Sequence, residues 1–139
     1  MIVLDASVAI SGLLPEAESE GARSLIASTA CIAPDLIISE CVNALWKNVM
    51  LGRILVSEAE MALLALSSLG IGLVPSRELA DRAFALAIGL KHPAYDCFYL
   101  ALAEGRRIPM VTQDGKFLRK VRASQISNAE VILLEEMDS

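Results

Sequence analysis

Four acidic residues stand in stretches where acids are not expected. Asp5 is the only charged residue between positions 1 and 15, and Glu40 the only one between 36 and 46. Asp96 is the only charge between 93 and 103, and Asp114 follows the uncharged run Ile108–Gln113. Buried acids are rare unless something pairs with them, because burying a lone charge is costly. No basic residue within the first three runs can serve that purpose. Two carboxylates 4 Å apart repel by about 4 kcal/mol at an effective dielectric of 20, so a convergent group must take up protons or hold a cation. Oxygen-only ligands suit a hard divalent ion, Mg²⁺ or Mn²⁺, with water completing an octahedral shell. Each acid also has a plainer reading. Asp5 could cap the helix after it, Glu40 could pair with Lys47, Asp96 could favour a helix N-terminus, and Asp114-Gly115 is a turn dipeptide.

The elements that must position these acids follow from local pattern. Ile2–Leu4 predicts a buried strand, and Ser7 caps a short helix ending before Pro15. Glu16, Glu18 and Glu20 open a second helix, and Cys31–Ala33 is a second strand. Asp35 caps a helix over Leu36–Leu51 that stops at Gly52, and Ser57 with Glu60 makes a capping box before Met61–Leu69. Gly72–Val74 is a third strand; Ser76 then caps a helix reaching about Leu90, on which Arg77 and Asp81 are spaced to pair. Pro93 begins the helix Ala94–Glu104, closed by Gly105. Ile108–Thr112, Lys116–Arg122 and Val131–Leu134 read as strand, helix and strand. Short apolar strands alternating with helices predict an α/β fold, a short, mostly parallel sheet covered by helices on both faces. Asp5 and Asp114 then fall just past strand ends, the edge where parallel sheets bind ligands. Glu40 and Asp96, early in their helices, can face the same edge, and Asn43 and Lys47 share a helical face with Glu40.

Length and composition bound the rest. The 139 residues suit one domain, 1–139, and 55% of them are hydrophobic, which excludes disorder and a disulfide scaffold. Cys31, Cys41 and Cys97 are an odd number without a Cys-x-x-Cys pair, as expected of buried thiols in a reducing compartment. The longest uncharged stretch, Met61–Ser76, is 16 residues and is broken by serines and glycines, too short to span a bilayer. No signal peptide is read, so a cytoplasmic protein is expected. Net charge is −5, against indiscriminate coating of nucleic acid, yet Arg106–Arg122 holds six basic residues and one acid. Within that run Lys116, Arg119 and Arg122 are candidates for phosphate contacts. His92 forms no catalytic triad, and Trp46, Tyr95, Phe98 and Tyr99 read as core residues.

Taken in order, Val3-Leu-Asp5-Ala-Ser7, Ala33-Pro-Asp35-Leu leading to Glu40-Cys-Val-Asn43-Ala-Leu-Trp-Lys47, Tyr95-Asp96-Cys-Phe-Tyr99-Leu-Ala-Leu-Ala103 and Val111-Thr112-Gln-Asp114 resemble the PIN-domain nucleases, most closely the VapC-type toxins of prokaryotic toxin–antitoxin pairs. The resemblance covers nearly the whole chain. It implies a three-layer α/β/α sandwich and a Mg²⁺- or Mn²⁺-dependent endoribonuclease, usually a homodimer, blocked by an antitoxin. Asp5, Glu40, Asp96 and Asp114 match the four metal-binding acids; Ser7 and Thr112 match the small hydroxyl positions beside them, and Asn43 a polar position after the helix acid. Single-stranded or looped RNA is the implied substrate class. Many relatives carry a further acid after the fourth, where this chain has Gly115-Lys116-Phe117. Two alternatives stand beside this reading: a PIN-like RNA- or protein-binding module without hydrolysis, and an aspartate-nucleophile phosphatase. The second lacks its usual acid two residues after Asp5, where Ser7 stands.

Overall fold

The computed structural model describes residues 1–15 and 19–138. Five strands, β1 (Ile2–Leu4), β2 (Cys31–Pro34), β3 (Gly72–Val74), β4 (Met110–Thr112) and β5 (Val131–Leu133), form one sheet in the order β3-β2-β1-β4-β5, every pairing parallel. Seven α-helices are described: α1 (Ala6–Leu13), α2 (Ser19–Ser28), α3 (Leu36–Met50), α4 (Val56–Leu66), α5 (Ala80–Leu90), α6 (Ala94–Arg106) and α7 (Gly115–Ser124). Right-handed crossovers send the connections to β2 and β3 over one face and those to β4 and β5 over the other. Accordingly α1 packs on α2, α3 and α4, while α5 packs on α6 and α7. The result is the expected three-layer α/β/α sandwich.

The central strands are buried because both faces are covered. Every residue of β1 and β4 is buried, whereas β3 at the edge leaves Leu73 exposed. Val3 is level with Ile32 on one side and Met110 on the other, and Leu4 with Val111, so β1 and β4 end together. Strand order reverses at this β1–β4 boundary, which in such sheets opens a crevice at the carboxyl ends of the strands. Gly12 lets α1 and α2 approach closely, since a Cβ there would lie 3.1 Å from Ile26.

Several local expectations need correction. Ser7 lies inside α1; the cap is Asp5, whose carboxylate accepts the Ala6 N–H. Asp35 starts α3 without capping it, because its carboxylate is taken by the Ser76 N–H and hydroxyl at 3.0 and 2.5 Å. Those bonds hold Ser76 in a 3₁₀ turn, Ser76–Glu78, so α5 starts only at Ala80. With Arg77 in that turn and Asp81 in the helix, helical pairing geometry does not hold; the ion pair nearby joins Arg82 to Glu104 at 2.6 Å. Helix α4 begins at Val56 rather than at the Ser57–Glu60 box, with Glu58 accepting the Leu55 N–H at 2.8 Å. Helix α6 runs past Gly105 to end on a left-handed Arg107. Glu20 lies in the first turn of α2, while Glu16 and Glu18 lie outside the described residues. Trp46 and Tyr95 are 58% and 66% exposed and are not core; Tyr99 is fully buried. All three cysteines are free and buried, and burial pushes Cys41 up to about 12 and Cys97 up to about 11. Among the described residues no helix is long and apolar enough to cross a membrane.

Candidate active site

Asp5 is the anchor of the site. The chain leaves β1 with the Asp5 N–H donating to the Val111 carbonyl, then turns straight into α1. That turn buries the carboxylate, which is only 5% exposed. Its Oδ1 accepts from the Ala6 N–H at 2.9 Å, and its Oδ2 from the Ser7 and Thr112 hydroxyls at 2.8 and 2.7 Å. Burial pushes Asp5 up to about 6 despite these three donors, and the charge of Asp96 adds to the rise. The hydroxyl of Thr112, buried at the end of β4, also accepts the Asp114 N–H at 3.1 Å. Ser7 likewise accepts the Gln113 N–H at 3.3 Å, so the two hydroxyls tie the end of β1 to the end of β4.

Glu40 comes from α3 and is partly buried. Its Oε1 accepts from the buried Tyr99 hydroxyl at 2.5 Å. Desolvation raises its pKa, the Tyr99 bond opposes that, and Asp5 and Asp96 add repulsion. Tyr99 itself is held well above the ordinary phenol range by burial and by this acid. Asp96 sits in the first turn of α6, with Oδ2 2.7 Å from His92 Nε2. Glu40 bonds to Tyr99 rather than to Lys47, the plainer alternative for this acid; Asn43 and Lys47 are exposed on α3.

Asp114 caps α7, its Oδ1 accepting the Phe117 N–H at 3.1 Å. The Asp114-Gly115 dipeptide read as a turn is thus the start of α7, and Thr112 links the Asp114 backbone to Asp5. The basic candidates separate along α7. Lys116 is exposed in the first turn, and the Arg119 guanidinium lies over Gly115. Arg122 donates to the Val131 carbonyl at 3.3 Å, at the start of β5 and thus the opposite edge of the sheet, so it is not brought to the acids. A cavity of about 850 Å³ also lies at that opposite edge, lined in part by Arg82, Glu104, Arg107 and Glu130. The acids lie instead at the carboxyl edge of the sheet, where its strand order reverses.

Tyr99, His92 and Lys120 are the residues of the site that sequence reasoning did not assign. Lys120 Nζ lies 3.2 Å from His92 Nδ1. One local signal was available, because His92 and Asp96 are four residues apart at a helix start. The Tyr99–Glu40 contact spans 59 positions and carries no local signal.

The donor set fits a hard cation better than a soft one. Asp5, Glu40 and Asp96 repel one another, the condition a divalent ion relieves, and all three offer oxygen. Among the described residues no three His, Cys, Asp or Glu side chains close into a metal cage. An ion that keeps several of its waters, as Mg²⁺ does, suits that open arrangement.

An all-parallel sandwich with acids gathered at its strand-order reversal defines a class of α/β proteins that work at the carboxyl edge of the sheet. The chain belongs to the PIN domain family, whose match covers residues 2–123. It is 33% identical over 114 residues to the VapC ribonuclease Mb0985 of Mycobacterium bovis, covering 82% of this chain and 86% of that protein. It is 30% identical over 136 residues to ribonuclease VapC12 of Mycobacterium tuberculosis, covering 96% and 99%. Among solved structures, PAE2754 from Pyrobaculum aerophilum matches with a TM-score of 0.73 at 24% identity, over 98% of this chain and 85% of that one. VapBC2 from Rickettsia felis, solved with a DNA fragment from its promoter, matches with a TM-score of 0.65 at 14% identity, over 96% and 98%. These last two likenesses concern the fold.

Proposed function

We propose that this chain is a Mg²⁺- or Mn²⁺-dependent endoribonuclease, the toxin of a type II toxin–antitoxin pair. The observation that carries the reading is the mutual repulsion of Asp5, Glu40 and Asp96 at the strand-order reversal. The relatives named VapC ribonuclease support the reaction class. Asp5, Asp96 and Asp114 would hold the ion directly or through water, with Glu40 a further ligand or the residue that orients the attacking water. When bound, the ion supplies charge for the scissile phosphate and lowers the pKa of a bound water. The chain's own residues do the positioning. Ser7 and Thr112 fix the Asp5 carboxylate by donating to its Oδ2. Tyr99 fixes Glu40, and a carboxylate held in one place meets the developing charge without reorganising. Lys116 and Arg119, both exposed on α7, would meet backbone phosphates of an RNA strand running along the carboxyl edge of the sheet.

The partners proposed are a cognate antitoxin, which blocks this edge, and a second copy of the chain. Exposed apolar side chains support association. Ile38, Val42, Trp46 and Met50 make a stripe at four-residue spacing along α3, and contiguous apolar surface of this kind marks an interaction site.

The test is cleavage of a total small-RNA pool by the purified protein with Mg²⁺, with Mn²⁺ and with chelator, beside Asp5→Asn and Asp96→Asn. Discrete products that need the metal and vanish in both variants are expected. RNA binding without cleavage under every metal condition would instead establish a non-hydrolytic module. Products unchanged in both variants would place any hydrolysis outside these acids.

A further inference from the structure

We infer that His92 is a positioning residue for Asp96, set in a single tautomer by Lys120, through the juxtaposition Lys120 Nζ–His92 Nδ1 at 3.2 Å and His92 Nε2–Asp96 Oδ2 at 2.7 Å. The inference rests on the metal-dependent reading of the acids and assigns Asp96 a support of its own, as Ser7 and Thr112 support Asp5 and Tyr99 supports Glu40. A lysine ammonium only donates. Nδ1 must therefore accept, the ring proton lies on Nε2, and it points at Asp96 Oδ2. That donation fixes one carboxylate oxygen and leaves the other to the cluster with Asp5 and Glu40.

The surroundings hold the ring in place. His92 follows Lys91, whose left-handed backbone (φ 53°) turns the chain at the end of α5, and the His92 N–H donates to the Ala87 carbonyl. The imidazole lies against Phe117 with ring centroids 4.8 Å apart, and its side chain is only 10% exposed. Lys120 is itself steadied by donating to the Lys91 carbonyl at 3.3 Å. Phe117 and Lys120 both belong to α7, the helix that Asp114 caps. Through His92, the helix carrying Asp114 thus sets the geometry of Asp96 on α6, linking two candidate ligands that share no direct bond. Removing the hydrogen-bond partner of a metal ligand typically costs about 10–100-fold in metal affinity.

His92 is the only histidine in the chain, so its ring resonances are assigned without further labelling. The experiment combines a long-range ¹H–¹⁵N spectrum of the metal-free full chain with Mn²⁺ titration calorimetry on wild type, His92→Ala, His92→Gln, Lys120→Met and Asp96→Asn. The spectrum is expected to show the Nε2–H tautomer alone, with the Nδ1–H form appearing in Lys120→Met. His92→Ala is expected to weaken Mn²⁺ binding by about tenfold or more. His92→Gln, whose amide can donate to the same oxygen, should recover part of the loss. A dominant Nδ1–H tautomer in wild type overturns the inference, as does wild-type Mn²⁺ affinity in His92→Ala. If His92→Ala does not fold, the spectrum and the Mn²⁺ affinity of Lys120→Met decide, a tautomer and affinity unchanged from wild type overturning the inference. Loss of binding in Asp96→Asn with none in the histidine variants rejects this inference alone. Absent binding in wild type, or full binding in Asp96→Asn, rejects the metal-site reading and this inference with it.

Discussion

At the residue scale the site is held under tension by Asp5. Its carboxylate is ordinary in the unfolded chain, near 3.8, and is pushed up to about 6 when folded. Between those values the folded state binds more protons than the unfolded one, so metal-free stability falls as pH rises through that window. The penalty is absent below pH 4 and complete above the folded value, at roughly 3 kcal/mol by linkage. Asp5→Asn removes the charge while Ser7 and Thr112 can turn to accept from the new amide. In chelator, denaturant titrations should therefore find the variant more stable than wild type by roughly 2–3 kcal/mol at pH 7.5, a gap that closes by pH 4. A gap independent of pH would reject burial of the charge as its cause. Tyr99→Phe tests the opposite case, in which a polar contact stabilises. It deletes the donor to Glu40 and should cost about 1–2 kcal/mol in the same titration at pH 7.5. RNA cleavage should fall with it, since Glu40 loses its fixed orientation. Neither acid's environment could be read from composition, but their isolation in apolar runs was plain, because a charge among ten uncharged neighbours must be explained by something distant in the chain.

At the element scale, the strands and the acids that follow them were legible because short apolar runs bounded by turn residues have few other uses in a chain of this kind. Helix starts were less legible. Asp35 and Ser76 each look like caps, yet they bond to each other across 41 positions, and neither caps its own helix. A cap is a competition between local and distant partners, and only the folded chain settles it. Helix ends show the same limit: α5, α6 and α7 finish on left-handed Lys91, Arg107 and Gln125, none of them glycine. A side chain at such a φ costs about 1–2 kcal/mol. Arg107→Gly should therefore raise stability by about 1 kcal/mol, seen as a melting temperature higher by roughly 2–4 °C. No rise would mean that the Arg107 side chain contributes as much at the rim of the opposite-edge cavity as its backbone costs.

At the scale of the whole molecule, the proposed metal and partners would act on the same small domain. Mg²⁺ or Mn²⁺ at 100 times its dissociation constant should add about 2.7 kcal/mol, a melting rise of roughly 5–10 °C. Asp96→Asn should abolish most of it; an equal rise in the variant would put the ion elsewhere. Trp46→Asp places a charge in the middle of the α3 stripe and should convert the proposed dimer to a monomer in sedimentation equilibrium, whereas a dimer persisting in the variant would move the interface off α3. The three-layer order of the sheet has one more consequence. Strand β1 comes before the other described elements in the chain, yet it lies in the middle of the sheet and borders β4, more than a hundred residues later. Pairing so distant in sequence cannot form until the intervening chain exists. Asp5 therefore waits for Thr112 until β4 has been made, and Asp96 for Lys120 until α7 has. Truncated nascent chains ending before α7 would lack Asp114 and the lysine behind His92. The candidate site therefore closes only once α7 has been made.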